Sequence, residues 1–338
     1  MAQATTYNLV GVREDLTDFL TILEPEDCPK TSMFAKTVRP RQQYQEWQMD
    51  TLSAPYFPGK LEGQDFAVFQ NKAANRGRVG NFVQTFARTW MVSRLAEAAD
   101  VAGVSNEVAN AKVKAARELK RDIESAVGSD NEMQADNGTV PYLLRGLGKW
   151  IQATAQSINP VPSSYLTVSG SVDTTTTSSL TENTFNGVFQ SIYEVNGGKR
   201  NYMLFAGPNL KRAISKFQRA TGSSGTTQTY QVIQNAKDHE ISLNVEIYDG
   251  DFHHVTVIPD LFNGLTTAAN EQGVFAPTNQ SRARGYIIDP ELVGIGYYIG
   301  MQSEEFPDQG GGRRGAVEST LTLMVKNPKG LGKFAAAS

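Results

Sequence analysis

Three histidines and the acidic residues beside them are the side chains of this sequence best suited to catalysis or metal binding. They are His239, His253 and His254, with Asp249 and Asp251 close to the second and third. Adjacent side chains of a strand point to opposite faces, so His253 and His254 are poor joint metal ligands. Asp251 can share a face with His253, but a polar hairpin turn explains both residues equally well. We predict no metal site and no cofactor site here.

The other chemical candidates are a cysteine and a glycine-rich run. Cys28, the single cysteine, precedes Pro29, and nothing in its local sequence would lower its pKa toward that of a nucleophile. The run 310–315 lacks the Lys-Ser/Thr ending and the following helix of a phosphate-binding loop, so it is expected to be a mobile loop before the last strand. The sequence contains no Gly-x-Ser-x-Gly elbow. We therefore predict no catalytic residue and no enzyme.

Composition limits the class of protein. The chain has 338 residues, of which 20% are charged and 40% hydrophobic, with a formal net charge of −3. A dedicated nucleic-acid-binding protein would show a basic excess. One cysteine allows no internal disulfide and suits a reducing compartment. No apolar run reaches the length of a membrane span, and the N-terminus lacks the features of a signal peptide. We expect a soluble protein synthesised in a cytoplasm and no membrane partner.

The first 92 residues have little core of their own. Helical spacing of apolar residues predicts one short helix over Arg13–Leu23. A long hairpin is then predicted, with one strand through Gln43–Leu52 and the other through Val79–Val92. Its tip, Ala54–Arg78, is polar and rich in glycine, lysine and arginine. A hairpin of this length buries too little apolar surface to fold alone, so we expect it to pack on something else, most simply a second copy of the chain.

The clearest predicted element is a helix over Ser105–Val127. A narrow apolar stripe and a charged remainder support it, and its length is roughly 35 Å. Ser105 is expected to cap its start and Gly128 to end it. The predicted stripe consists of Val108, Ala111, Ala115, Leu119, Ile123 and Ala126.

The remaining sequence alternates short strands with helices. Helices are predicted over Tyr142–Ala155, Glu182–Val195 and Asn209–Arg219. The predicted strands are Tyr202–Ala206, Glu240–Tyr248, Val255–Pro259, Tyr286–Asp289, Gly294–Ser303 and Glu318–Val325. This alternation indicates an α+β fold with a mixed sheet.

Taken together, the elements resemble the major capsid proteins of tailed bacteriophages with the HK97-type fold, and among them a podovirus-type major head protein group. The order of arm, long hairpin, spine helix, mixed lobe and returning strand covers essentially the whole chain. The segments that carry the resemblance are Arg13–Ile22, Pro29–Phe34, Gln45–Leu52, Arg76–Phe82, Val92–Ser93, Glu318–Leu323 and Asn327–Pro328.

The resemblance implies a domain layout. Residues 1–42 correspond to an N-terminal arm and 43–92 to the extended β-hairpin called the E-loop. Residues 93–140 correspond to the peripheral domain with its spine helix, 141–300 to a mixed α/β axial domain, and 301–338 to a return to the peripheral domain.

The resemblance also implies a function. Copies are expected to assemble into pentamers and hexamers that form an icosahedral phage head around double-stranded DNA, which is held non-specifically. Portal and scaffolding proteins are expected partners, a decoration protein is a further one, and separate scaffolding is expected because the chain has no room for a cleaved scaffolding segment. The protein is expected in the virion, after synthesis in the bacterial host cytoplasm.

Seven residues are predicted to contact neighbouring subunits: Trp47, Lys60, Lys72, Arg76, Arg78, Arg313 and Arg314. Some relatives form Lys–Asn isopeptide cross-links, and Lys60 or Lys72 with Asn327 would supply the right residue types.

Three other functions stay open from the sequence. One is a compartment shell of the same fold, like an encapsulin, that holds cargo enzymes. Another is a hydrolase that uses Asp251 or Asp238 with a histidine. The third is a tail or adhesion module that binds through the loops Ser163–Ser179 and Ser223–Thr229. Closed particles or rings of five and six subunits would favour a shell over the other two.

Overall fold

The structure, a computed structural model, combines helices with two larger sheets. It describes residues 27–37, 39–55, 59–65, 69, 71–99, 103–218, 234–235, 240–241, 245–264 and 282–335. The predicted helix Arg13–Leu23 lies outside these residues. The helices are α1 (Pro29–Met33), α2 (Arg94–Ala98), α3 (Glu107–Val127), α4 (Leu147–Trp150), α5 (Glu182–Asn196) and α6 (Pro208–Ser215).

Most of the strands lie in sheets that mix parallel and antiparallel pairs. The strands are β1 (Ala35–Lys36), β2 (Tyr44–Met49), β3 (Gly77–Phe82), β4 (Gln84–Val92), β5 (Val172–Asp173), β6 (Arg200–Ala206), β7 (Gln234–Asn235), β8 (Glu240–Ile241), β9 (Ile247–Asp249), β10 (His253–Pro259), β11 (Arg284–Ile288), β12 (Val293–Phe306), β13 (Arg313–Val325) and β14 (Gly332–Ala335). A six-stranded sheet has the order β5-β14-β11-β6-β10-β9, and a four-stranded sheet has the order β1-β12-β13-β4. Strand β6 pairs parallel to β10 and antiparallel to β11, which confirms the predicted mixed sheet.

The chain divides into two compact units. One contains Ala87–Leu119 and Gln302–Glu318, and the other contains Asp27–Phe86 with the described parts of Lys120–Met301 and Ser319–Ser338. No helix among the described residues is long and apolar enough to cross a membrane.

The core of the larger unit lies between α5 and the six-stranded sheet. Phe185, Phe189 and Ile192 on α5 are buried because an apolar residue recurs on the same helical face every three or four positions. Leu204 on β6 and Val255 on β10 belong to the same buried cluster. This packing holds the sheet to which the other parts of the unit attach.

The predicted long helix is present as α3, with small differences at its start. The side chain of Asn106 accepts a hydrogen bond from the Ala109 amide at 3.0 Å, so Asn106 and not Ser105 caps the helix. Leu119 is 0% exposed and Ile123 3%, as the stripe predicts. Glu124 was assigned to the charged face, and this was wrong, because its side chain is fully buried.

Three other predicted boundaries need correction. The sequence of Thr31–Pro40 predicts an extended, irregular segment, but its first three residues belong to α1, because Pro29 suits a first helical position. The helix predicted over Tyr142–Ala155 is only α4, since Leu143 pairs with Gln134 in a β-bridge before it. The return strand Val79–Val92 is two strands that meet at Val83. Only β3 pairs with β2, while β4 joins the four-stranded sheet beside β13.

Candidate subunit interface

The β2–β3 hairpin is anchored in the larger unit at its base. The register runs from Tyr44 opposite Phe82 to Met49 opposite Gly77. Trp47 is 8% exposed; its ring centroid lies 5.6 Å from that of Trp150, and its indole N–H donates to the Val325 carbonyl at 3.0 Å. The structure therefore places Trp47 inside its own subunit, and its predicted contact with a neighbour stays a prediction.

Tyr165 fixes the point where the two strands of the hairpin leave the core. Its hydroxyl donates to the Met49 carbonyl at 3.2 Å and to the Asn75 carbonyl, so it contacts the end of β2 and the residues just before β3. A Cβ atom added at Gly77 would lie 2.9 Å from Cε2 of the Tyr165 ring, so only glycine fits at this contact. One buried side chain thus contacts both sides of the hairpin at its base.

The described part of the hairpin between residues 52 and 74, called the tip from here on, presents apolar side chains to solvent. Leu52 is 97% exposed, Leu61 76% and Phe69 86%. Leu61 begins a tight turn in which the Gln64 amide donates to the Leu61 carbonyl at 3.1 Å, and Gly63 has a φ of +75°. Large apolar side chains clustered on one exposed loop are typical of a surface that another molecule covers.

The predicted basic residues of the hairpin lie on its surface. Arg76 pairs with Asp50 at 3.5 Å and Arg78 with Glu46 at 3.2 Å, both across the hairpin. Exposed pairs of this kind contribute about 0–1 kcal/mol each, so they leave the arginines available to a partner at little cost. Lys60 and Lys72 are exposed in the tip. Their role in subunit contacts or cross-links stays a prediction.

The two arginines near the end of the chain lie on the smaller unit. Arg313 pairs with Glu97 at 3.2 Å and with Glu305 at 3.1 Å, and Arg314 donates to the Pro307 carbonyl at 3.2 Å. Of the glycine-rich run 310–315, which was expected to be a loop, only residues 310–312 precede the strand, and the other three are the first residues of β13. Their contact with a neighbouring subunit also stays a prediction.

A buried ionic network, not predicted from the sequence, holds the segment that leads to the hairpin. The Lys30 ammonium contacts the Asp260 carboxylate, lies 3.4 Å from Glu124 and 3.2 Å from the Asn263 side-chain oxygen. All three charged side chains are 0% exposed. Glu124 also accepts from the Lys30 and Thr31 amides at 2.7 and 2.8 Å. The one sequence signal was that Glu124 borders the apolar stripe of α3.

Burial and ionic contacts act in opposite directions on the pKa of Lys30. Burial alone would lower this pKa, but the Asp260 and Glu124 carboxylates outweigh it and raise the pKa above its ordinary value. Lys30 is therefore charged at neutral pH. The network consists of one buried cation and two buried carboxylates.

The residues considered for catalysis are arranged for packing. His253 lies 3.9 Å from the Phe189 ring centroid at 15° and 5.6 Å from that of Tyr248 at 11°, and neither ring nitrogen has a hydrogen-bond partner among the described residues. Burial lowers the pKa of His253 to about 4 and raises that of Cys28 to about 12, neither of which suits a base or nucleophile at neutral pH. No metal-ligand cluster occurs in the part of the chain that the structure describes. Asp238 and His239 lie outside it.

The fold is similar to that of solved phage capsid structures. The capsid of cyanophage P-SCSP1u aligns over 97% of this chain and 94% of its own, with a TM-score of 0.62 at 9% identity. A Mycobacterium phage Bobi structure aligns over 100% of both chains, with a TM-score of 0.60 at 10% identity. The mature capsid of bacteriophage PhiM1 aligns over 98% of this chain and 92% of its own, with a TM-score of 0.58 at 10% identity. The predicted HK97-type α+β fold is confirmed.

No curated protein sequence matches this chain. A family model described as SU10 major capsid protein matches residues 1–338. This match confirms the predicted resemblance, the capsid-forming role, the place in the virion and the absence of an enzymatic role, and it does not favour the cargo compartment or the hydrolase. The chain belongs to the SU10 major capsid protein family, whose members are structural proteins that associate with copies of themselves to form the capsid.

Proposed function

We propose that the β2–β3 hairpin is the arm through which one copy of this capsid protein holds the next. The observation that carries the proposal is the contrast between the two ends of the hairpin. Its base is buried and fixed by Tyr165, whereas its tip exposes Leu52, Leu61 and Phe69. Fully burying one such side chain contributes about 1.5–3 kcal/mol, so covering all three supplies several kcal/mol toward association.

The domain layout proposed for the subunit follows the resemblance. Residues 1–42 form an arm, 43–92 carry the hairpin, 93–140 and 301–338 form the peripheral domain, and 141–300 form the axial domain. The observed β2–β3 pair supports a hairpin within this range, whereas β4, which follows it, lies beside β13 and is not part of the hairpin.

The proposed assembly consists of pentamers and hexamers in an icosahedral head around double-stranded DNA, built in the host cytoplasm with portal and scaffolding proteins and, at the outer surface, a decoration protein. The net charge of −3 suits a container for DNA, because a strongly basic lining would bind phosphates tightly and hinder packing and release of the genome. Tight binding of duplex DNA by the empty shell at physiological salt would contradict this.

The experiment is replacement of residues 52–74 by a short Gly-Ser linker, which removes the tip but keeps Met49, Asn75 and Gly77 against Tyr165. Sedimentation velocity and negative-stain microscopy would compare this variant with the parent, each expressed with its neighbouring genes. We expect the variant to be a folded subunit that forms no closed shells.

A matched control is Ile247→Ser, which removes an apolar side chain that is 58% exposed on β9, an edge strand of the six-stranded sheet and not a strand of the hairpin. This control should assemble like the parent. Normal particles from the tip variant would show that the hairpin is not an assembly arm.

A further inference from the structure

The smaller unit carries an open apolar cleft. It lies between the end of β4 and the turn that joins β12 to β13, and its volume is about 330 Å³. Its floor is Trp90, which is 6% exposed, and its sides include Met91 at 62% and Phe306 at 42%. The lining residues are Thr89, Trp90, Met91, Phe306, Arg314 and Gly315.

The size and chemistry of the cleft suit a protein side chain rather than a small-molecule ligand. Ligand pockets usually span about 300–1,000 Å³ and contain several polar groups that converge on the ligand. This cleft is at the lower limit of that range, and its only charged lining residue is Arg314. One or two apolar side chains with a carboxylate beside them would complement it.

Glycine keeps the cleft open. A Cβ atom at Gly315 would lie 2.7 Å from Cζ2 of the Trp90 indole and 2.3 Å from the Glu304 carbonyl oxygen. A Cβ atom at Gly311 would lie 2.7 Å from the terminal methyl of Met91. Any side chain at these positions would displace the floor or one side of the cleft.

The hairpin tip carries a group that matches this cleft. Leu61 is 76% exposed at the start of its hydrogen-bonded turn, and Glu62 follows it. Within the described ranges, Glu62 has no ionic partner, and Arg314 contacts the Pro307 carbonyl but no carboxylate. On the tip, an apolar side chain lies beside a carboxylate with no cation partner among the described residues. In the smaller unit, an apolar cleft lies beside a guanidinium with no carboxylate partner among them.

We propose that the turn Leu61–Gln64 of one copy docks in the cleft of an adjacent copy, with Leu61 on Trp90 and Met91, and Glu62 beside Arg314. This inference rests on the proposed function, because it requires copies to meet through the hairpin. It adds the receiving site, and it gives Arg314 a specific partner. The contact of Leu61 with the cleft would hold the Glu62 carboxylate beside the Arg314 guanidinium and shield the pair partly from water.

The test is site-directed disulfide formation in assembled particles. In a Cys28→Ser background, which removes the native thiol, Leu61→Cys is combined with Met91→Cys, and the particles are oxidised with diamide. We expect a ladder of covalently linked subunits on non-reducing gels that collapses on reduction. The control pair combines Leu61→Cys with Val113→Cys, since Val113 is 51% exposed on α3 and does not line the cleft. It should stay monomeric on the gel.

The outcomes separate this inference from the proposed function. Normal particles with no 61–91 ladder, or an equal ladder from the 61–113 pair, would overturn the docking site and leave the assembly role of the hairpin intact. Absence of particles from the parent under every condition would overturn both.

A charge exchange provides a second measurement that needs no cysteine. Glu62→Arg and Arg314→Glu should each reduce particle yield several-fold, and the double variant should recover it. Additive losses in the double variant would contradict the contact.

Discussion

Replacing Lys30 with methionine should destabilise the larger unit far more than the same replacement of a surface lysine. The substitution keeps the length and apolar stem of the side chain but leaves Glu124 and Asp260 as two buried carboxylates with no cation. Breaking a buried ionic contact by removing one partner costs about 3–5 kcal/mol. Domains have total stabilities of about 5–15 kcal/mol, so this loss is a large fraction of the whole.

The assay is urea unfolding of the unassembled subunit, followed by tryptophan fluorescence. Two of the three tryptophans, Trp47 and Trp150, lie in the same unit as Lys30, with ring centroids 5.6 Å apart. A loss of about 4 kcal/mol corresponds to a fall of about 1.3–4 M in the urea midpoint at m-values of about 1–3 kcal/mol/M. The variant with the tip replaced by a linker serves as the background, because it is expected not to assemble.

Charge balance predicts that a second substitution, Asp260→Asn, stabilises the Lys30→Met variant although it destabilises the parent. Asp260→Asn alone leaves one cation with one carboxylate, and the amide oxygen can still accept from the Phe262 amide, now at 2.9 Å. This variant should lose only about 1–2 kcal/mol. Combined with Lys30→Met it should recover part of the stability that Lys30→Met loses, because one of the two uncompensated carboxylates is removed and only Glu124 remains.

The pH dependence follows from the raised pKa of Lys30. A raised pKa means that the stabilisation is fully present below the ordinary lysine value of 10.5 and is lost as the pH rises through the folded value. The contribution of the Lys30 charge to the stability of the parent should thus be the same at pH 7 and pH 9. A cost under 1 kcal/mol for Lys30→Met, or a double variant less stable than Lys30→Met, would refute the reasoning.

Three further predictions concern the core and the hairpin. Because burial lowers the pKa of His253 to about 4, the unfolded chain binds a proton below about pH 6.5 while the folded ring stays neutral. Stability is therefore full above that pH and falls by up to about 2 kcal/mol between pH 7 and pH 5, and His253→Phe should abolish this fall in paired urea curves. Gly77→Ala should lower the free energy of unfolding by about 1–3 kcal/mol, because the added methyl group meets the Tyr165 ring, and it should speed hydrogen exchange in β2 and β3. Unchanged exchange would contradict the role of Tyr165 in holding the base of the hairpin. Leu119→Asp should prevent recovery of folded protein, since Leu119 is 0% exposed on α3, while the volume-conserving Leu119→Met should cost under about 1.5 kcal/mol in thermal melts.

The local spacing of apolar residues was sufficient to predict those helices and strands in which a regularly spaced set of apolar residues faces the core. The helices α3 and α5 and the strands β6, β10 and β13 lie where periodicity placed them, with ends that differ by a few residues. Long-range contacts were not predictable in this way. Glu124 has the type of a surface residue, and it is buried only because Lys30, 94 residues away, donates to it.

The hairpin illustrates the same division. Alternation correctly indicated a strand around Trp47, and the run of polar and glycine residues indicated an exposed tip. The strand break at Val83 could not be predicted from the local sequence, because it reflects a change of pairing partner. The Val83 amide donates to the Gln43 carbonyl at 2.8 Å, while the residues after it join β13. The contact of Tyr165 with the base of the hairpin could not be predicted from local sequence either, since Tyr165 lies 116 residues from Met49.

The bond between the Trp47 indole and the Val325 carbonyl joins two parts of the chain that are synthesised at very different times. The two residues are 278 positions apart, so the base of the hairpin has no complete seat until Val325 has left the ribosome. At the usual 5–20 residues per second, that interval is roughly 15–55 s. A nascent chain therefore lacks this anchor of the hairpin until its synthesis is nearly finished. If the hairpin joins neighbouring subunits as proposed, we expect shell growth to follow the concentration of finished subunits rather than the spacing of ribosomes.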